Sequence, residues 1–414
     1  MVGRELGHRT AGGASGADVR QTGFSDRASL EKAVDWIDAR PAGLPEEAVR
    51  SEDAAGRVLA APIEAAADLP LLDRAAEDGF ALSSAETIGA GSYSPILFEL
   101  QPAGVPLRAG AAKLVAAGDP LPSGADAVLP FGMAHVDGGT VEVVGAVAEG
   151  TGVERRGQHL RAGRSLFGVG RALRPQDAAL LASLDVGSAQ VVRRPRVRLV
   201  LAGPKGCAGT GFRGDAHRPM LLPLIARDGG VAEGVVLASE RASTRRAITA
   251  PGADLILVTG RTGTGPDDEA PLAVADVGEL AIHGIALRPG ASAGLGAVGR
   301  VSVLLLPGDP RGCLCAYELL AGRLIRRLGG LDPELPHREL EAEVGRKIVS
   351  GIGFAEKCEV RLVGGKVEPV GGAEGGGLAS VIRADGFVLV PAALEGYAPG
   401  ARVGVHLYDA AVIV

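Results

Sequence analysis

At 414 residues the chain is too long for one ordinary core, and two to four domains are expected. Aromatics make up only 3% of it while Gly numbers 63 and Pro 26, so its cores are built from Ala, Val and Leu between many turns. A net charge of −6 with no long single-sign run argues against a nucleic-acid polyelectrolyte, and no stretch approaches the ~20 apolar residues of a membrane span.

Residues 1–24 are rich in Gly, Ala and Arg and read as a disordered tail. From Ser25 to Arg40, Leu30, Ala33, Val34 and Ile37 recur at helical spacing, with Asp26 or Ser29 as N-cap and Pro41 as the stop. A second short helix is expected over Ser51–Ala60, followed by a strand-like turn after Pro62. Farther on, Arg196–Gly203, Ala253–Gly260 and Val301–Gly308 are short apolar runs that end in glycine. Continuous apolar runs too short for helices are strands buried on both faces, and a parallel sheet is their usual home. Between them come a helix from Pro219 to Arg227, a strand from Val231 to Ala238 and a polar helix from Arg241 to Ala250. Strand, helix, strand, helix, strand is the pattern of a doubly wound sheet. Pro223 inside the first of these helices opposes it by about 3 kcal/mol, which puts that helix's start in question. From 333 onward, short apolar runs such as Glu359–Val363 and Gly386–Val390 alternate with Gly-rich turns, as in a small β-barrel.

The loop after the central run holds glycines at 260, 263 and 265 with Thr262 and Thr264 between them, so its backbone N–H groups are free to hold an anion. Ligands of open α/β sheets sit at such carboxyl ends of strands. The plain alternative is that glycine relieves strain wherever a strand turns. The cysteines at 207, 313, 315 and 358 form no CxxC pair, so neither a zinc site nor a disulfide framework is indicated, and a reducing cytoplasm fits.

A chain of motifs then narrows the reading. LPLLDRAAEDGFAL (69–82) resembles the "PxxDxSAMDGYA" stretch of the molybdopterin molybdenumtransferases, the MoeA and gephyrin E-domain family. AAGDPLPSGADAVLP (116–130) resembles "TGAxxPxGADAVV", and RRGQHLRAG (155–163) resembles "RRxGEDxxxG". Residues 173–192 match the family's helix and turn that precede its third domain. GDAHRPMLLPLIARDGG (214–230), VTGRTGTGPDD (258–268), ALRPGAS (286–292) and LLPGDP (305–310) follow in the family's order.

The resemblance implies an α/β multidomain chain acting in molybdenum cofactor biosynthesis. Segments 25–61 and 151–194 would build a homodimer, 62–150 a β-rich insertion, 195–332 the doubly wound α/β molybdopterin-binding domain and 333–414 the barrel. It implies insertion of molybdate into adenylylated molybdopterin with release of AMP, assisted by magnesium. Both partners are anions, so backbone nests, cations and a metal must neutralise charge where they meet. Carried onto this chain, Asp78, Arg288 and Lys205 would be catalytic. Gly260, Arg261, Thr262, Gly263, Thr264, Gly265, Asp215, Pro307, Gly308 and Asp309 would bind substrate, and Asp267 with Asp268 would hold the metal.

Departures from the family cluster at these positions. Lys205 stands where the family has an acidic residue, Ala117 replaces Thr, and Gln158 and His159 replace two carboxylates. Asp78 either closes a turn or meets substrate; Asp215 either caps a helix or binds ligand; Asp267 and Asp268 are either ligands or solvated loop residues. His159 and His217 read as polar surface or cleft residues. Lys205, Arg261, Arg288 and Arg311 would form a cationic cluster at one sheet edge, each a usual phosphate partner. A second function is therefore open: a catalytically degenerate paralogue that carries molybdopterin or the finished cofactor to a molybdoenzyme. A nucleotide-binding scaffold without a pterin role is a third.

Overall fold

The computed structural model describes residues 18–102, 104–203, 215–370 and 377–408. Contacts divide the chain into two compact units, one of residues 1–47 and 192–414, the other of residues 48–191.

The first unit is organised around a six-stranded sheet. Its strands are β1 (Arg196–Ala202), β2 (Val231–Ala238), β3 (Leu255–Thr259), β4 (Glu279–His283), β5 (Gly294–Val298) and β6 (Val301–Leu306), in the spatial order β2-β1-β3-β6-β5-β4. The first four in that order run parallel, and β5 and β4 are antiparallel additions. β3 is buried throughout, which its unbroken apolar run requires. Leu255 and Leu257 enter one core with Val197, Leu199, Leu221 and Ile225, while Ile256 and Val258 enter a second core with Val200, Ala247, Ile248 and Val274. Helices therefore cover both faces: α1 (Leu30–Asp38) and α2 (His217–Arg227) belong to the first core, α3 (Arg241–Thr249) and α4 (Ala270–Val277) to the second. The chain continues through α5 (Pro310–Ala316), a π-helical turn (Tyr317–Ala321) and α6 (Gly322–Leu328).

Ser29, one of the two expected N-caps, starts the first helix at Leu30: its side chain accepts the Lys32 N–H at 3.2 Å. Residues 18–24 are not a loose tail: the Gln21 N–H donates to the Thr264 carbonyl at 2.8 Å, main-chain pairing that composition does not reveal. Pro223 does lie inside α2, on its exposed side, where the carbonyl it leaves without a helical donor is not forced into the core.

The barrel follows in the same unit. Strands β7 (Arg338–Val344), β8 (Ala355–Val363), β9 (Lys366–Pro369), β10 (Gly386–Val390) and β11 (Arg402–Leu407) close in the circuit β8-β9-β7-β11-β10-β8. Val344, Val360, Val367, Val388 and Val405 fill its interior, and closure leaves no free sheet edge among them.

The second unit centres on a six-stranded sheet whose order is 127–130, 79–82, 111–115, 96–101, 140–143 and 134–137. Its core packs Phe80, Leu82, Phe98, Leu129, Val141 and Val143. The helix expected over Ser51–Ala60 is only a single 3-10 turn, Ser51–Asp53. Gly56 at φ +75° ends it, and Val58 and Leu59 then form bridges to Ala172 and Val191 instead of helical bonds. The helix expected in the 173–192 segment is present as Pro175–Ser183.

Candidate functional site

Three strand ends of the first unit, Ala202, Thr259 and Leu306, stand side by side where the strand order turns from β2-β1 to β3. This is the topological switch point at which open α/β sheets place their ligands. The backbones there are closely packed. A Cβ on Gly260, whose φ is +88°, would stand 2.2 Å from the Ala202 carbonyl oxygen, and one on Gly308 would stand 3.2 Å from the Gly260 Cα.

Beyond these ends opens a cleft of about 390 Å³, lined from the chain's motifs by Gly263, Thr264, Gly290, Ala291, Ser292, Pro307, Asp309 and Gly312. Its volume is within the range of small-molecule sites, and its small residues let a ligand approach the main chain closely. The floor is fixed by a hydroxyl chain: Thr262, almost fully buried, donates to the Leu306 carbonyl at 3.4 Å and lies 3.2 Å from the Ser292 hydroxyl. His283 Nε2 lies 2.8 Å from the Thr262 carbonyl. Burial is the larger influence on His283 and holds its imidazole below the ordinary histidine range despite that carbonyl, so it is a neutral donor at neutral pH.

The carboxylates of the loops are engaged with their own backbone. Asp268 Oδ2 accepts the Gly265 N–H at 2.7 Å, and Asp309 Oδ2 accepts the Gly312 N–H at 2.6 Å as the N-cap of α5. Asp215 Oδ1 accepts the N–H groups of His217 at 2.9 Å and Arg218 at 3.4 Å, which secures the start of α2. His217 is held below its usual range, by burial first, against the opposing pull of Asp215. Asp267 is exposed. Among the described residues no three His, Cys, Asp or Glu side chains converge as a metal site, and one oxygen of Asp268 already holds the loop closed. Magnesium usually takes one or two carboxylates and completes its shell with substrate oxygens and water, so Asp267 and the other Asp268 oxygen are the groups that would hold it.

The cations divide in a way the sequence does not show. Arg311 is not free: its guanidinium pairs with Glu359 of β8, a carboxylate 1% exposed, and so joins the sheet domain to the barrel. Arg261, at φ +54°, and Arg288 have no ion-pair partner among the described residues. The Arg288 guanidinium lies 3.9 Å from the ring centre of Phe354. Lys205 lies outside the described residues. The expected cluster of four thus loses Arg311, because a buried acid 48 residues away claims it.

The remaining motifs assemble in the second unit. Asp73 accepts the Arg156 N–H at 2.7 Å and Arg155 Nη1 at 3.0 Å, which ties the 69–82 motif to the 155–163 motif. Asp78, exposed, accepts the Ala117 N–H at 2.8 Å and ties it to the 116–130 motif. Gln158 accepts the Arg155 N–H, and His159 lies 3.5 Å from Glu154. Sequence order alone does not bring these three segments together; the strand pairing of 79–82 with both 111–115 and 127–130, and of 74–75 with 153–154, does.

Comparisons with known proteins cover most of the chain. The chain matches the MoeA N-terminal region (domains I and II) over residues 28–185, a domain described as "Probable molybdopterin binding domain" over 198–327, and the MoeA C-terminal region (domain IV) over 341–408. It is 28% identical over 309 residues to molybdopterin molybdenumtransferase 2 of Mycobacterium tuberculosis, covering 69% of this chain and 76% of that one. It is 23% identical over 411 residues to the molybdopterin molybdenumtransferase of Staphylococcus aureus, covering 92% and 95% respectively. The crystal structure of a molybdopterin biosynthesis MoeA protein from Pyrococcus horikoshii superposes with a TM-score of 0.71 at 27% identity, over 93% of this chain and all of that one.

Proposed function

From a chain that belongs to the MoeA family of molybdopterin molybdenumtransferases, and so to molybdenum cofactor biosynthesis, we propose a working transferase that inserts molybdate into adenylylated molybdopterin with release of AMP. The observation that carries this reading is the cleft beside the switch point, lined by the loops that follow β3 and β6 and by the 290–292 turn, and free of bulky side chains on these motif loops. Molybdopterin and molybdate are its substrates. The carrier reading is not favoured, since the relatives that span the chain are named as transferases.

In this proposal the Gly260–Gly265 loop and the turn Pro307–Asp309 bind the substrate through main-chain N–H groups and the Arg261 cation. The turn at Gly290–Ser292 closes the opposite side, with Arg288 neutralising the anion. Asp215 orders the start of α2 beside this site. Asp78 and Lys205 are proposed as catalytic residues. The chemistry is charge neutralisation and positioning; no step is routed through a bound metal. A homodimer built through 25–61 and 151–194, the inserted domain 62–150, the domains 195–332 and 333–414, a cytoplasmic location and delivery to a molybdoenzyme complete the proposal.

The experiment is a titration of the purified chain with adenylylated molybdopterin, followed by molybdate with and without magnesium while AMP is measured. Binding with AMP release supports the transferase, and the two arms show whether magnesium is required. Binding without release returns the carrier reading, and no binding removes both.

A further inference from the structure

The cleft has one wall to which no motif points. Gly23, Phe24 and Arg27, which precede α1, line it opposite the motif loops. Main-chain bonds hold this segment across two loops: Gln21 to Thr264 at 2.8 Å, Ala28 to Gly284 at 3.1 Å, and Ala286 back to Ala28 at 2.7 Å. The Arg20 guanidinium adds a bond to the Pro266 carbonyl at 3.3 Å. Phe24 lies directly on Gly284, where an added Cβ would come 2.5 Å from the ring, and meets His283 edge-on at 5.0 Å. The segment is thus seated by backbone pairing and one aromatic contact, close to the Thr262 carbonyl that His283 holds.

What it brings to the cleft is a charge without a counter-charge. Among the described residues Arg27 has no carboxylate partner, and its Nε is buried with no hydrogen-bond acceptor. Its guanidinium lies 5.1 Å from the ring centre of Phe24 and 5.5 Å from that of Phe354, the ring that Arg288 also meets. Aromatic faces stabilise a guanidinium but leave its N–H donors unused. Two cations held near one ring repel each other until an anion neutralises them, and a guanidinium's planar fork suits phosphate. Asp309, the acidic residue among those lining this cleft, already accepts the Gly312 N–H as a helix cap.

Resting on the reading of this cleft as the molybdopterin site, we infer that Arg27 is a specificity-determining residue that binds a phosphate group of the pterin substrate, with Arg288 beside it. The segment ahead of the first helix then supplies a cation at an edge where Arg311 is unavailable.

The test compares the full-length chain with Arg27→Ala and Arg27→Lys, titrated with molybdopterin, with adenylylated molybdopterin and with molybdate alone. Ala291→Tyr, which fills the cleft from the motif side, controls for the site, and tryptophan emission at Trp36 with the urea midpoint controls for folding. The expected result is a loss of molybdopterin affinity of about ten- to a hundred-fold in Arg27→Ala, the size of one charge-assisted pair, with partial recovery in Arg27→Lys. The same loss with adenylylated molybdopterin assigns the contact to a phosphate kept in both substrates. Arg27→Ala binding within twofold of the unaltered chain, while Ala291→Tyr does not bind, overturns the role of Arg27 and leaves the cleft reading intact. Undiminished binding by Ala291→Tyr, or no binding by the unaltered chain, overturns the cleft reading and this inference with it. A loss confined to molybdate overturns the phosphate assignment. Should Arg27→Ala not fold, Arg27→Gln takes its place: binding weaker than Arg27→Lys supports the inference, and equal binding refutes it.

Discussion

Replacing Gly260 by alanine should destabilise the sheet domain at the point where its strands deliver the cleft. The residue sits at φ +88°, a conformation that costs an L-residue about 1–2 kcal/mol, and the new Cβ would stand 2.2 Å from the Ala202 carbonyl oxygen. That carbonyl is backbone at the end of β1, so relief requires the ends of β1 and β3 to part, an overpacking cost of roughly 1–3 kcal/mol. The total is about 2–5 kcal/mol. The chain's single tryptophan, Trp36, packs against the core of this unit and serves as a local probe in urea. With a slope of about 3 kcal/mol per molar for a unit of this size, the midpoint should fall by roughly 0.7–1.7 M. Gly308→Ala is the matched control: its Cβ would come no closer than 3.2 Å, to the Gly260 Cα, and a loss below about 1 kcal/mol is expected. A Gly260→Ala midpoint equal to that of the unaltered chain, or to that of Gly308→Ala, would refute the packing argument.

Other expectations follow from charges that the fold buries. Arg311→Ala strands Glu359, which retains only Lys357, so stability should fall by about 3 kcal/mol while molybdopterin affinity changes less than twofold; the reverse pattern would return Arg311 to the site. Burial alone would raise Glu318, yet its bonds from His337 and Arg227 bring it down to about 2. Its stabilising contribution is therefore complete above the ordinary glutamate range and is lost as pH falls toward 2, about 3 kcal/mol in all, and Glu318→Gln should flatten that part of the acid unfolding curve. Cys313 and Cys315 are fully buried, and burial pushes both thiols up to about 12. Iodoacetamide at pH 8 followed by peptide mass mapping should leave both unmodified until urea unfolds the chain, and modification of the native protein would show that this core opens.

How much of this was legible beforehand depends on the range of each signal. The strands at 196, 255 and 301, the helices between them and the closed barrel follow from apolar runs and glycine stops, because burial on two faces demands an apolar side chain at every position. The motif spacings carried the family, since each one marks a turn whose backbone geometry is local. The 3-10 turn at Ser51 escaped because Gly56 and the bridges of Val58 and Leu59 to distant strands outweigh helical propensity there.

By itself the sequence determined the doubly wound core, the glycine loops at its carboxyl edge and the family to which they belong. Only the tertiary structure decided which charges remain available there: Arg311 is taken by Glu359 from another domain, Asp268 and Asp309 close their own loops, and Arg27 comes into the cleft from the far end of the chain. Periodicity records whether a side chain is buried, which is a local property. The partner of Arg311 and the arrival of Arg27 at the cleft are chosen by domain packing and loop docking between segments distant in sequence, and periodicity does not carry that choice.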